Sequence, residues 1–140
     1  MKRILVGVDG SSESRAAAGY AARLAQATHS ALEFAYVLPA INETGIGGAT
    51  TMPAWQTEET LRARVLLQEM SESVPRPNTP VETSLLEGGA AHRLAEEARR
   101  EDIWLVVVGH RGRGAVERLL LGSVADQLTQ ISPKPVLVFR

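Results

Sequence analysis

Five short apolar runs punctuate the chain, and apolar residues recur at helical spacing between them. Residues 4–8 (ILVGV) are apolar throughout and stop at Asp9-Gly10, the pattern of a strand buried on both faces. Residues 31–38 (ALEFAYVL), 103–108 (IWLVVV, the most apolar) and 135–139 (PVLVF) also read as strands, and residues 81–86 (VETSLL) form a weaker one. Ser11 and Ser12 are good helix N-caps, and Ala17, Tyr20, Ala21, Leu24, Ala25 and Thr28 follow helical spacing, so a helix is predicted over 12–28. A second helix is predicted over 55–73, with Leu61, Val65 and Met70 inward and Pro75, Pro77 and Pro80 ending it. Gly88-Gly89 turns the chain into a third helix carrying Ala91, Leu94, Ala95 and Ala98. A fourth presents Val124, Leu128 and Ile131. Residues 39–53 are rich in Gly and Thr and have no period; a connection this long reads as a functional loop, ordered in part when a ligand binds.

Strand and helix alternate throughout, which predicts a single α/β domain over residues 1–140. Its parallel sheet would carry helices on both faces and right-handed crossovers, a Rossmann-like arrangement. Such sheets bind ligands beyond the carboxyl ends of their strands, where the strand order reverses. The loops after the first and fourth strands are therefore the places to look for chemistry.

The loop after the fourth strand is unusual. Gly109, Gly112 and Gly114 alternate with Arg111 and Arg113, Arg118 follows, and Gly122-Ser123 opens the last helix. A glycine at a strand end can simply supply a turn with positive φ. Glycines with cations between them also bring backbone N–H groups close to an anion, as a nest, and the helix N-terminus adds its dipole. Ser123 has two readings, a helix cap or a phosphate hydrogen bond. The loop is neither a Walker A sequence nor a G-x-G-x-x-G fingerprint, so spacing alone implies a phosphate-sized anion and nothing finer.

Composition removes several alternatives. Apolar residues make up 44% of the chain and charged residues 22%, enough to bury a core. With a net charge of −1, nucleic-acid binding has no global electrostatic basis. There is no cysteine, hence no disulfide and no thiolate nucleophile or metal ligand. No apolar run reaches membrane-spanning length and the short first run lacks a signal-peptide pattern, so a cytoplasmic protein without membrane insertion is expected. His110 is a lone histidine in the loop and weak evidence for acid–base chemistry; His29 and His92 build no metal site. Capping accounts for Ser11, Ser12 and Ser14, and Trp55 and Trp104 read as packing residues.

Gly109, Gly112 and Gly122-Ser123 together spell G-x2-G-x9-G-S, which resembles the ATP-binding motif of the universal stress protein family. The resemblance runs the length of the chain. ILVGVDGSSESRAAAGYAARLA is similar to the family's first strand, acidic turn and first helix, and KPVLVF to its last strand. EGGAAHRLAEEA is similar to its third strand-to-helix turn, with Ala90 where many members have proline. The resemblance implies the strand order 3-2-1-4-5, with the fifth strand at an edge and pairing in a homodimer. It implies that ATP is bound with Mg2+ or Mn2+. Asp9 would take ribose hydroxyls or hold the metal through water, Val37 would offer its backbone to adenine, and Gly109, Gly112, Gly122, Ser123 and Val124 would surround the triphosphate. Arg111 and Arg113 would neutralise phosphate charge. The resemblance further implies a stress-response module that reports nucleotide state to a regulatory protein partner. No catalytic residue is assigned, because phosphoryl transfer needs a placed base and firm metal ligation, and only Asp9 is at hand. The rival readings are a slow ATPase or autokinase using the same site, and a dimeric interaction module that binds little nucleotide.

Overall fold

The computed structural model describes residues 1–40, 54–75, 78–112 and 121–140. Residues 41–53, the bulk of the predicted ligand-ordered loop, lie outside them, as do Arg113, Gly114 and Arg118.

The elements alternate as the apolar pattern implies. They are β1 (Arg3–Gly7), α1 (Ser12–Thr28), β2 (Ala31–Leu38), α2 (Ala54–Ser73), β3 (Val81–Glu87), α3 (Ala90–Glu97), β4 (Ile103–Gly109), α4 (Ser123–Ile131) and β5 (Val136–Phe139). The five strands form one parallel sheet in the order β3-β2-β1-β4-β5. The order reverses between β1, the central strand, and its neighbour β4.

Every strand except the outer ones is apolar on both faces because both faces are covered. Ile4, Val6, Leu32, Phe34 and Val107 pack with the alanine stripe of α1 and with α2. Their sequence neighbours Leu5, Ala35, Val106 and Val108 point the other way and pack with α3 and α4. The small residues Ala17, Ala21 and Ala25 let α1 lie close to the sheet.

Two helices turn inward only part of the stripe predicted for them: Met70 of α2 and Leu128 of α4 are buried as expected, and the other predicted positions are not. In α2, Leu61 and Val65 are each 59% exposed, and the buried stripe is Ala63, Leu66, Leu67 and Met70, continued by Val74 just past the helix. The helix carries two apolar stripes at helical spacing, and the longer one, with the small Ala63 in it, seats against the sheet. In α4, Ala125 and Leu128 are buried, whereas Val124 and Ile131 are more than a third exposed. Ala125 and Leu128 meet Ala91 and Leu94 of α3, and that small-residue contact sets the rotation of α4.

A charged cluster closes the amino end of the sheet. Glu33 of β2 is only 1% exposed. Arg100 donates to it over 2.9 Å, Arg3 lies 3.6 Å away, and Ser84 donates its hydroxyl. Arg3 and Arg100 also share Asp102. Burial alone would push the Asp102 carboxyl up, but these two guanidinium groups outweigh it and hold the carboxyl below its ordinary value. Neither the cluster nor Glu33 was anticipated from the sequence; a lone acid inside an apolar strand, with an arginine opening β1 and another before β4, was the available signal.

Candidate functional site

At the carboxyl ends of β1 and β4 the sheet opens into a cavity of about 230 Å³. Of the residues predicted for the site, Asp9, Val37, Gly109, Arg111, Gly112, Gly122, Ser123 and Val124 line it, and Arg113 lies outside the described residues. Those eight come from four separate segments, brought together because parallel strands end on one side and the chain leaves β1 and β4 in opposite directions where the strand order reverses. Ala35, Ala90 and Ala125, for which the sequence predicts no role in the site, line it as well.

Asp9 follows β1 and shapes the turn into α1. Its Oδ1 accepts from the Ser11 backbone N–H over 2.9 Å and from the Ser11 hydroxyl over 2.6 Å. Ser11 is the N-cap of α1, its hydroxyl oxygen accepting from the Ser14 backbone N–H. Gly10 has φ +86°, a conformation open to glycine at little cost, so the Asp-Gly pair fixes where the helix starts.

The glycines of the loop after β4 serve close approach, not turn geometry. Among the described glycines, only Gly10 and Gly88 have positive φ, and Gly122 has φ −68°. The left-handed nest is therefore not what Gly109, Gly112 and Gly122 supply. A Cβ on Gly109 would stand 2.9 Å from the Glu13 carbonyl carbon, and one on Gly112 would stand 2.5 Å from Asp9 Oδ2. A Cβ on Gly122 would meet Arg111 Cα at 3.0 Å and the His110 carbonyl oxygen at 3.2 Å. The Gly122 N–H donates to that carbonyl over 2.6 Å and so closes the loop on itself.

Ser123 does not cap α4. The N-cap is Gly122, with no side-chain cap, and Ser123 is the first helical residue, exposed at the cavity. The α3 N-terminus is built the same way: its N-cap Gly89 carries no capping side chain, and Ala90 lines the cavity. Two helix N-termini without side-chain caps thus share one cavity wall, each contributing positive dipole and backbone N–H groups. Arg111, half-buried, is the cationic side chain among the described lining residues.

Val37 is half-buried near the end of β2 and packs with the α3–α4 side of the core while touching the cavity. His110 is tied down by Phe139, whose carbonyl oxygen accepts from its backbone N–H at 2.8 Å and contacts ring Nδ1 at 3.2 Å. Trp104 donates its indole N–H to Ser30 Oγ, a packing contact remote from the cavity. Among the described residues no group of three His, Cys, Asp or Glu side chains gathers as a metal site, and no helix is long and apolar enough to cross a membrane.

The family model described as "Universal stress protein family" matches residues 1–140. The universal stress protein YxiE of Bacillus subtilis is 28% identical, over 99% of this chain and 98% of that protein. A universal stress protein solved in complex with cAMP superposes with a TM-score of 0.74 at 23% identity, covering 99% of this chain and 97% of its own. The universal stress protein of Archaeoglobus fulgidus solved in complex with dAMP gives a TM-score of 0.70 at 18% identity, covering 100% and 98%.

Proposed function

The chain belongs to the universal stress protein family, and from that premise we propose that it binds ATP with a divalent cation, as one unit over residues 1–140. In this reading it acts in the cytoplasm as a nucleotide-dependent stress-response module read by a regulatory partner. The observation that carries the reading is the pair of side-chain-uncapped helix N-termini, α3 and α4, on one cavity that also holds Arg111 and the glycine edges. Such a wall suits a polyphosphate. The apolar floor of Ala35, Val37 and Leu94 suits a base. Two structural neighbours hold adenine nucleotides, which supports adenine over other bases.

The residues fit a magnesium ion in a particular way. Mg2+ keeps several waters and takes one or two carboxylates together with phosphate oxygens. Asp9 supplies a carboxylate at the cavity, and the nucleotide would supply the rest. The ion would neutralise phosphate charge there. The reading is of binding and not turnover, since Asp9 already serves the β1–α1 turn through Ser11.

Calorimetry tests the reading. The protein is expected to bind ATP at least tenfold more tightly than adenosine, on the order of one charge-assisted hydrogen bond or more. Asp9→Ala should weaken both ligands and leave much of that ratio intact. Equal affinity for adenosine and ATP would refute phosphate recognition at this wall.

A homodimer through β5 belongs to the same proposal. β5 is an edge strand, and Val136, Leu137, Val138 and Phe139 are all half-buried on its two faces. An apolar edge of this kind pairs readily with a second copy, and a two-fold axis makes the pairing self-complementary. Pro133 and Pro135 limit its length. Light scattering at micromolar concentration should give twice the chain mass; the mass of one chain would contradict the pairing.

A further inference from the structure

Arg111 lines the cavity, yet its guanidinium is engaged at the cavity wall. Nη2 lies 3.7 Å from Glu13 Oε1, and Nε donates to His110 Nε2 over 3.0 Å. With Nε2 accepting from Arg111, Nδ1 is the ring nitrogen that faces the Phe139 carbonyl oxygen and donates to it. His110 is thereby held in one orientation, and Arg111 with it. Glu13 is held too. It stands in the first turn of α1, its backbone packed on Gly109 so closely that no Cβ fits between them. Hydrogen bonds from its own backbone N–H and from the Ser12 hydroxyl, with the charge of Arg111 added, keep its carboxyl ionised below the ordinary carboxylate range. Both side chains of the pair are little more than a quarter exposed.

We propose that Glu13 is an internal competitor in phosphate recognition: its carboxylate competes with nucleotide phosphate for Arg111 and so sets how steeply affinity rises with phosphate number. The inference rests on the nucleotide reading of the cavity. Adenosine has nothing to offer Arg111 and leaves the Glu13–Arg111 pair in place. A polyphosphate brings more charge than one carboxylate and draws the guanidinium off, but must first break that pair. Glu13 therefore subtracts from the affinity of phosphorylated ligands and not from that of the nucleoside.

The test uses the full chain, with adenosine and ATP titrated by calorimetry into the parent, Glu13→Gln, Arg111→Gln and the double variant. Glu13→Gln is expected to tighten ATP roughly two- to fivefold, the scale of a partly exposed ion pair, and to leave adenosine unchanged. In the Arg111→Gln background the same change should have no effect on ATP, because the coupling runs through Arg111. Unchanged or weaker ATP binding in Glu13→Gln overturns the assignment. So does a gain that persists without Arg111, which would be direct repulsion between Glu13 and the ligand. If the parent binds neither ligand, the nucleotide reading fails and this inference falls with it. If the parent prefers ATP and Glu13→Gln leaves the preference unchanged, only the role of Glu13 falls.

Discussion

Gly122→Val is expected to lower ATP affinity by roughly a hundredfold or more, the loss of at least two hydrogen bonds to charged groups. The cause is local and steric. A Cβ at this position lies 3.0 Å from Arg111 Cα and 3.2 Å from the His110 carbonyl oxygen, and both obstacles are backbone atoms that cannot swing aside. The branched side chain forces the two ends of the loop apart, breaks the hydrogen bond from the Gly122 N–H to His110, and moves Arg111 away from the α4 N-terminus. Strain of this kind typically costs about 1–3 kcal/mol, so the domain should stay folded with a lowered melting temperature. Ser123→Ala is the contrast. It removes one exposed hydroxyl and leaves the backbone wall, so affinity should fall about tenfold to a hundredfold at most. Circular dichroism establishes folding and calorimetry the affinity. A folded Gly122→Val protein that binds ATP like the parent would mean that the α4 N-terminus takes no part in binding.

Glu33→Ala should destabilise the fold by about 2–3 kcal/mol without affecting nucleotide affinity. Removing one partner of a buried ion pair costs about 3–5 kcal/mol, because the other charge is left without compensation. The lower figure applies because Arg100 is 38% exposed and retains Glu97 and Asp102, while Arg3 retains Glu82 and Asp102. Glu33→Gln keeps an acceptor for the Ser84 hydroxyl and should cost less than the alanine change. The midpoint of urea unfolding reads the effect. A midpoint equal to the parent's for Glu33→Ala would mean that the cluster stabilises nothing.

The sheet and its helices were legible because local patterning and burial agree. Residues 4–8, 31–38 and 103–108 are too uniformly apolar for a half-exposed strand, and the alternation with helices leaves a parallel sheet as the consistent solution. The helix α1 was readable to its last residue, since Ser11 caps one end and the alanine stripe runs to the other. Stripe choice in α2 and α4 was not readable. Leu61 and Val65 keep helical spacing as well as Leu66 and Met70 do, and only the shape of the sheet beneath decides which pair is covered.

The site divides along the same line. Sequence spacing brought Gly109, Gly112, Gly122 and Ser123 into one group, because a motif is a statement about types and intervals. It offered a positive-φ turn or an anion nest as the reason for glycine there, and neither identifies the neighbours that exclude a Cβ. The reason lies in groups that only the fold brings there: the backbone of the first turn of α1 presses on Gly109, the Asp9 carboxylate on Gly112, and the backbone of the loop's own start on Gly122. Nor does any local rule place Glu13 beside Arg111 or Glu33 beside Arg100, since each pair is separated by more than sixty residues. Periodicity and propensity act over a few residues and so determined the elements. Steric exclusion and charge pairing act between elements, so they were settled only when the chain folded.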